Sequence, residues 1–152
     1  MEFAINFDDM NWAAIGPELI IMMTAFFILL AGLKKEMNTL SFLSGVSLVG
    51  IGAALLFTLT LWVGAPTAEN GNNPSMFSGA LIYDRFSLAF NLIFLLMYLF
   101  AFFGSVRYPQ ENHENKAEYF TLLLMAVAGM MFLAKSGNLI TVFISLELFS
   151  IA

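Results

Sequence analysis

Long apolar runs alternate with short polar segments along the 152 residues of the chain. About 20 apolar residues in an α-helix, at a rise of about 1.5 Å each, cross the hydrocarbon core of a bilayer. The runs therefore predict five membrane spans, at residues 13–33, 40–63, 86–106, 118–135 and 138–152. Because lipid offers no hydrogen-bond partners to the backbone, these spans predict an all-α, polytopic transmembrane helix bundle, with residues 1–152 in a single membrane domain.

The polar connectors and the small residues predict how the spans are joined and packed. Residues 64–82 are rich in Gly, Asn and Pro, which predicts an irregular loop on the solvent side of the membrane. In the second span, Ser41 and Gly45, and then Gly50 and Ala54, are each four residues apart. This spacing of small residues lets neighbouring helices approach closely, so we interpret it as a packing feature.

Composition supports the membrane assignment and excludes several kinds of site. Hydrophobic residues make up 60% of the chain and charged residues 11%, whereas soluble domains carry about 25% charged residues. The six Lys and Arg residues are scattered, so there is no basic patch that would indicate a nucleic-acid partner. The absence of Cys removes iron–sulfur clusters, thiolate-ligated haem and Cys-based zinc sites. The single His113 lies in a polar connector and is better explained as solvated than as metal-bound, so we expect neither a cofactor nor a metal on this chain.

The cations indicate which way the spans cross the membrane. Five spans place Arg85 and Lys135 on one side, and on the other side Lys34, Lys35, Arg107 and Lys116. By the positive-inside rule, the side with more cations is predicted to be cytoplasmic, which puts the N-terminus outside. Lys135 ends a span that is barely long enough to cross, so its ammonium group is expected to snorkel to the membrane interface.

Glu18 lies where the first span begins. It follows Gly16 and Pro17, a sequence typical of a helix start, because Pro is tolerated in the first turn and a carboxylate there complements the helix dipole. We therefore favour a helix-stabilising role for Glu18 over a role in conduction.

Glu147 is the one carboxylate in the last apolar run, residues 137–152. A helix that starts near Gly137 carries it about 15 Å into the bilayer, close to the midplane. A charge there costs from ~3 to more than ~10 kcal/mol, so such a residue normally faces a bundle interior and has a partner. We interpret Glu147 as a proton-relay or ion-pathway carboxylate. The alternative is a neutral, hydrogen-bonded Glu that only joins two helices.

The fifth span is shorter than a full crossing requires. From Gly137 to Ala152 a helix covers about 24 Å, and no polar anchor follows it. We therefore expect this span to be truncated and the chain to be the N-terminal fragment of a larger polytopic protein. The partner of Glu147 is then expected mostly in the missing part, since within this helix only Ser150 shares its face closely.

Three stretches of the sequence resemble a known family. They are PELI in the first span, YDRFS at the start of the third, and the run from Glu118 to Ala152 across the fourth and fifth. Together they resemble the antiporter-like subunit N of the proton-pumping NADH-quinone oxidoreductase, respiratory complex I, over essentially the whole chain. The resemblance implies that Glu147 is a proton-channel residue, paired with a Lys two helices later. It also implies a subunit of an enzyme, with no redox or catalytic centre on this chain itself.

The resemblance implies a location and partners as well. The location is the cell inner (plasma) membrane, and the partners are the lipid bilayer and the other membrane subunits of complex I, with NADH and quinone bound only by other subunits. Two alternatives stay open: a subunit of a multisubunit sodium/proton antiporter or membrane hydrogenase, and a structural membrane subunit without a conducting role. An independent enzyme is the weakest interpretation, because the sequence lacks HExxH, GxGxxG and P-loop patterns.

Overall fold

The computed structural model describes residues 12–34, 38–65, 75–105 and 116–152. After a short 3-10 turn at Trp12–Ile15, the described helices are α1 (Gly16–Gly32), α2 (Leu40–Gly64), α3 (Arg85–Ser105), α4 (Lys116–Ala134) and α5 (Leu139–Ile151). Two short antiparallel strands, β1 (Ser75–Met76) and β2 (Leu81–Ile82), lie between α2 and α3. The prediction of an all-α transmembrane bundle is confirmed.

The outer surface of the bundle is suited to lipid. Helices α1 to α4 are long and apolar enough to cross a membrane, and α5 is a shorter apolar helix. Their outward faces carry large hydrophobic side chains such as Met23, Val49 and Phe100, which are 66%, 73% and 80% exposed. Such surfaces are unfavourable in water and favourable in hydrocarbon. The chain is a multi-pass membrane protein.

Helices α1 and α4 form the centre of the bundle. Helix α1 packs on α2 and α4, while α4 also packs on α3 and α5. The Thr121 hydroxyl of α4 donates to the backbone oxygen of Ala25 in α1 at 3.3 Å, and the hydroxyls of Ser47 and Tyr98 are hydrogen-bonded between α2 and α3. The large apolar side chains of the core are fully buried between these helices: Ile21, Ile28, Leu43, Ile51, Leu95, Phe120, Leu124 and Met131.

The small-residue prediction for α2 is correct for one pair and wrong for the other. Gly50 and Ala54 are buried, and a Cβ added at Gly50 would collide with the side chain of Thr24 in α1. Ser41 is exposed, and no atom lies within 4 Å of a Cβ added at Gly45. A spacing of four places two residues on one helix face, but it does not determine which face meets a neighbour.

The connector between α2 and α3 ends in a β-hairpin, where we predicted an irregular loop over residues 64–82. Met76 of β1 lies opposite Leu81 of β2, and both side chains are buried. Positive φ angles of this kind are typical of tight hairpin turns, and they occur at Phe77 (52°), Ser78 (56°) and Gly79 (84°). The prediction is therefore wrong for the hairpin, while residues 66–74 of the connector lie outside the described residues.

The hairpin covers the turn between α4 and α5. The backbone N–H of Ile82 donates to the carbonyl of Lys135 at 2.7 Å, and that of Gly137 donates to the carbonyl of Ala80 at 2.9 Å. Strand β2 also forms a single antiparallel bridge with Ser136. These hydrogen bonds satisfy backbone groups in the turn between α4 and α5 that would otherwise lack a partner. One end of the bundle is closed in this way, and Lys135 lies beneath the cover.

Candidate functional site

Helix α5, which carries Glu147, is fixed by a cap at its start and by a close contact with α4. The Asn138 side chain accepts a hydrogen bond from the backbone N–H of Thr141 at 2.8 Å, which pairs a donor of the first helical turn. Nearer the other end, a Cβ added at Gly129 of α4 would lie 2.8 Å from the backbone nitrogen of Phe149. A larger residue at position 129 would push α5 away, so these contacts determine which face of α5 points outward.

Glu147 is exposed, on the face of α5 that points away from α4. Ser145 is the buried residue of this helix, and at about 100° per residue Glu147 lies about 200° further around the axis. Within the described residues, no ion pair or side-chain hydrogen bond reaches the Glu147 carboxylate. Its backbone oxygen accepts from the Ser150 hydroxyl at 3.2 Å. The described residues thus supply no partner for the carboxylate, and its proton-pathway role stays a prediction.

A group of buried polar side chains lies between the start of α1, the first third of α3 and the residue that follows α4. Lys135 Nζ lies 2.7 Å from Glu18 Oε1, and both side chains are 0% exposed. Asn91 Nδ2 donates to the same Glu18 oxygen at 2.6 Å, and Lys135 Nζ donates to the carbonyl oxygen of Ala14, also at 2.6 Å. These polar contacts join three helices in a low-dielectric interior, where hydrogen bonds are strong. We call Glu18, Asn91 and Lys135 the buried cluster.

The position of Lys135 corrects the prediction that its ammonium group snorkels to the membrane interface. The side chain is fully buried and turns back toward the start of α1. The hairpin covers the turn, since the backbone carbonyl of Lys135 accepts a hydrogen bond from the N–H of Ile82. On the side of the bundle interior, Lys135 Nζ contacts the backbone oxygen of Ala14 and a side-chain oxygen of Glu18. Snorkelling requires an open route to water, and the sequence of one span does not show whether another segment closes that route.

Glu18 and Asn91 are the partners that the sequence alone did not connect. Glu18 lies in the first turn of α1, as predicted, but its carboxyl group contacts Asn91 and Lys135 from other elements. Asn91 was not among the predicted site residues, although it is the one amide in the apolar run of residues 86–106. A polar residue inside a membrane span commonly bonds to a neighbouring helix, and that signal could have identified it.

The buried cluster contains oxygen atoms that can accept further hydrogen bonds. Glu18 Oε2 and Asn91 Oδ1 are buried without a hydrogen-bond partner among the described residues, and a buried unsatisfied acceptor costs about 1–3 kcal/mol. In the parts of the chain that the structure describes, there is no group of three or more His, Cys, Asp or Glu side chains that could hold a metal ion. His113 lies outside those parts.

Curated proteins with similar sequences match nearly the whole chain, whereas no family model matches it. Subunit N of the NADH-quinone oxidoreductase of Trichlorobacter lovleyi is 31% identical over 146 residues, which are 96% of this chain. Subunit 2 of the NAD(P)H-quinone oxidoreductase of Thermosynechococcus vestitus is 32% identical over 95% of the chain. The chain is a relative of subunit N.

A further relative is also named subunit N, but of a different dehydrogenase. Subunit N of the F(420)H(2) dehydrogenase of Methanosarcina mazei is 33% identical over 91% of this chain. The chain spans 28%, 27% and 28% of the lengths of these three relatives, in the order given. The resemblance to subunit N that the sequence shows is therefore confirmed over nearly all of this chain, which corresponds to little more than a quarter of each relative.

Proposed function

We propose that the chain is part of a membrane subunit of NADH-quinone oxidoreductase that contributes to proton translocation coupled to electron transfer from NADH to quinone. The observation that carries the proposal is the similarity to proteins named as subunit N, which covers 96% of the chain in one relative and 90% in two others. In this role the chain needs no redox centre of its own, because NADH and quinone bind to other subunits.

Glu147 is the residue that we assign to the proton pathway. Its carboxylate lies on an exposed face of α5 with large hydrophobic neighbours, among them Phe143 and Ile144, which are 63% and 61% exposed. A bare charge on such a face costs from ~3 to more than ~10 kcal/mol in hydrocarbon, so the face requires a cover. We propose that a helix from outside these 152 residues packs on this face of α5 and brings a Lys to Glu147. The relatives are long enough to contain such a helix, because this chain spans only 27–28% of their lengths.

A Lys beside Glu147 would control the proton on the carboxyl group. A nearby ammonium group favours the ionised carboxylate, whereas withdrawal of that cation leaves a desolvated group that favours the protonated form. Movement of one cation would therefore switch Glu147 between proton release and proton uptake. Redox events in other subunits can act through such a change in charge pairing, without any covalent step on this chain.

The proposal includes an orientation and a set of neighbours. The protein lies in the cell inner (plasma) membrane with its N-terminus outside, because the predicted cytoplasmic side carries more Lys and Arg residues. Lipid and the other membrane subunits of the complex surround it. The β-hairpin and the buried cluster then lie toward the outer surface, at the end of the bundle where α1 begins.

The relative from Methanosarcina mazei supports one variation of this proposal. Its name refers to F(420)H(2) dehydrogenase, so the same kind of membrane subunit serves a complex named for a different electron donor. Comparing NADH with reduced F420 as the donor to membranes that contain the complex distinguishes the two. Electron transfer to quinone from NADH supports the main proposal, and electron transfer from reduced F420 alone supports the variation.

Proton translocation by the full-length protein carrying Glu147→Gln, within its complex, tests the proposal. We expect normal assembly and fewer protons moved per electron, because Gln is similar in shape but cannot release a proton. Glu147→Asp keeps a carboxyl group and is expected to retain part of the translocation. Glu118→Gln, which removes a carboxylate from the first turn of α4, is the control and is expected to pump normally. Undiminished translocation in Glu147→Gln would refute the assignment, and loss of assembly in both Glu147 variants would favour a structural role.

A further inference from the structure

The oxygen atoms of the buried cluster have more accepting capacity than the described contacts use. Among the described residues, the buried side-chain atoms without a partner are Glu18 Oε2, Asn38 Oδ1 and Asn91 Oδ1, so two of the three belong to this cluster. Glu18 and Asn91 are already joined through the 2.6 Å bond from Asn91 Nδ2 to Glu18 Oε1. Both free atoms are acceptors when Glu18 is ionised, so the pair lacks one donor hydrogen.

Lys135 has the opposite imbalance. An ammonium group has three N–H donors, and the described contacts of Nζ use two of them, at 2.6 Å to Ala14 O and at 2.7 Å to Glu18 Oε1. A neutral amine has two N–H donors, which is the number of these contacts. The ammonium–carboxylate form therefore leaves one hydrogen unused on Lys135 and one hydrogen missing beside Glu18.

We propose that Glu18 and Lys135 form a second protonatable site of this chain, in which the shared proton is held on Glu18 Oε2 and directed to Asn91 Oδ1. Relative to the ammonium–carboxylate form, one N–H bond of Lys135 is broken and its electron pair stays on the nitrogen. One O–H bond forms on Glu18, and the net charge of the pair is zero in both forms. The O–H group of Glu18 then supplies the donor hydrogen that the pair lacks in the charged form. This site is separate from Glu147 and does not depend on the role proposed for that residue.

Burial favours the uncharged form of the pair. Both side chains are 0% exposed, and removal of two charges from water carries a penalty that their mutual attraction repays only when the remaining hydrogen bonds are satisfied. Here they are not satisfied in the charged form, because Glu18 Oε2 has no donor among the described residues. The acid–amine form keeps the contacts that join α1, α3 and α4 and avoids the cost of two buried charges.

The other ionisable groups around the cluster add no buried charge to it. At the start of α3, Asp84 accepts from the backbone N–H of Ser87 at 2.8 Å, and Arg85 is exposed. Burial raises the pKa of Tyr83 after the hairpin, so its phenol stays neutral. Tyr98, further along α3, is hydrogen-bonded to Ser47 of α2. Helix α2 has no ionisable side chain, and α5 carries only Glu147, on its far face. The ionisable residues at the opposite end of α1 and α4 lie a helix length away, about 25 Å.

A buried water molecule is a second possible source of the donated hydrogen. Buried waters typically bond to polar groups that would otherwise be unsatisfied, and one water can donate to two acceptors. The two sources differ in the state of Glu18, which is a carboxylic acid if the proton is on Oε2 and a carboxylate if a water donates to it. We infer the acid because it also accounts for the unused hydrogen on Lys135.

Infrared spectroscopy of the full-length protein in lipid nanodiscs, with the Glu side-chain carboxyl groups labelled with 13C, distinguishes the acid from the carboxylate. At a pH of about 8, exposed carboxyl groups are ionised. We expect the difference between wild type and Glu18→Gln to contain the C=O band of a protonated Glu, and this band should shift in D2O. Asn91→Ala is expected to move the band to higher frequency, because the Glu18 carbonyl oxygen loses a hydrogen bond. Glu147→Gln is the matched control and should leave the band in place.

Two results would overturn the proposal. One is a carboxylate band, in place of the acid band, that disappears in Glu18→Gln, because Glu18 would then be ionised with or without a bound water. The other is an acid band that is the same in wild type and in Glu18→Gln. If Glu18→Gln does not fold, the Asn91→Ala variant decides: an acid band that moves supports the proposal, and a band that is absent or does not move overturns it.

Discussion

The stability of the Glu18→Gln variant should show whether Glu18 in the buried cluster is a carboxylic acid or a carboxylate, because the two forms predict different losses of unfolding free energy. Gln keeps an oxygen that can accept from Lys135 Nζ and Asn91 Nδ2, which lie 2.7 and 2.6 Å from Glu18 Oε1. Its amide nitrogen also supplies a donor for Asn91 Oδ1, in the place of the acid O–H. If Glu18 is an acid, the substitution conserves both charge and hydrogen bonds. We then expect a loss of about 0–1 kcal/mol in the free energy of unfolding.

The ammonium–carboxylate form predicts a much larger loss. Two unit charges 2.7 Å apart attract each other by about 6 kcal/mol at an effective dielectric constant of about 20. Removing one partner of a buried ion pair costs about 3–5 kcal/mol, because the other charge is left uncompensated. For a chain of this size, about 1 kcal/mol shifts the Tm by about 2–4 °C. The charged form therefore predicts a fall of about 6–20 °C, and the acid form a fall of at most about 4 °C.

Thermal melting of the purified 152-residue chain in one detergent, followed by circular dichroism, measures this difference. Lys135→Met is the comparison variant, because it removes the donor to the fully buried carbonyl of Ala14. An unpaired buried acceptor of this kind costs about 1–3 kcal/mol. We therefore expect Lys135→Met to melt at a lower temperature than Glu18→Gln. A fall of more than about 6 °C in Glu18→Gln would refute the acid form of the cluster.

Three further predictions concern the packing of the helices and the cap of α5. Gly129→Val should lower stability by about 1–3 kcal/mol in thermal melts, because a Cβ there lies 2.8 Å from the backbone nitrogen of Phe149 and α5 must move. Gly52→Ala, where no atom lies within 4 Å of the added Cβ, should be neutral or stabilise by up to about 1 kcal/mol, and a loss as large as that of Gly129→Val would contradict the packing. Asn138→Ala removes the cap of α5 and should cost about 1 kcal/mol. The cap variant should show faster hydrogen exchange in the first turn of α5, and unchanged exchange there would argue against the cap.

Local pattern was sufficient to predict the helices, and it was insufficient for the hairpin. Each of the five predicted spans overlaps one helix of the structure, because an apolar run of membrane length has few other ways to satisfy its backbone. The hairpin depends on bonds such as that from Ile82 N to Lys135 O. Such a bond joins segments far apart in sequence, so the polar composition of residues 64–82 could indicate only a loop.

The two candidate sites also differ in how far the sequence alone could predict them. Glu147 could be identified from the sequence because it is an isolated carboxylate in an apolar run, although its outward direction depends on how α5 packs. Glu18 and Lys135 each have an adequate local explanation, as a helix start and as an interfacial cation. The fold alone brings them to 2.7 Å and places Asn91 beside them. Pairing between distant polar residues in different spans follows from tertiary packing, which single-span patterns do not contain.

The distance from the Glu147 carboxylate to the nearest ammonium nitrogen, in a structure of the full-length protein within its complex, tests the proton-pathway assignment most directly. We predict a Lys Nζ within about 4 Å, the limit for an ion pair, on a helix that covers the exposed face of α5. A Glu147 carboxyl group that lies in water at the membrane boundary, or that faces acyl chains with no cation near it, would contradict the assignment.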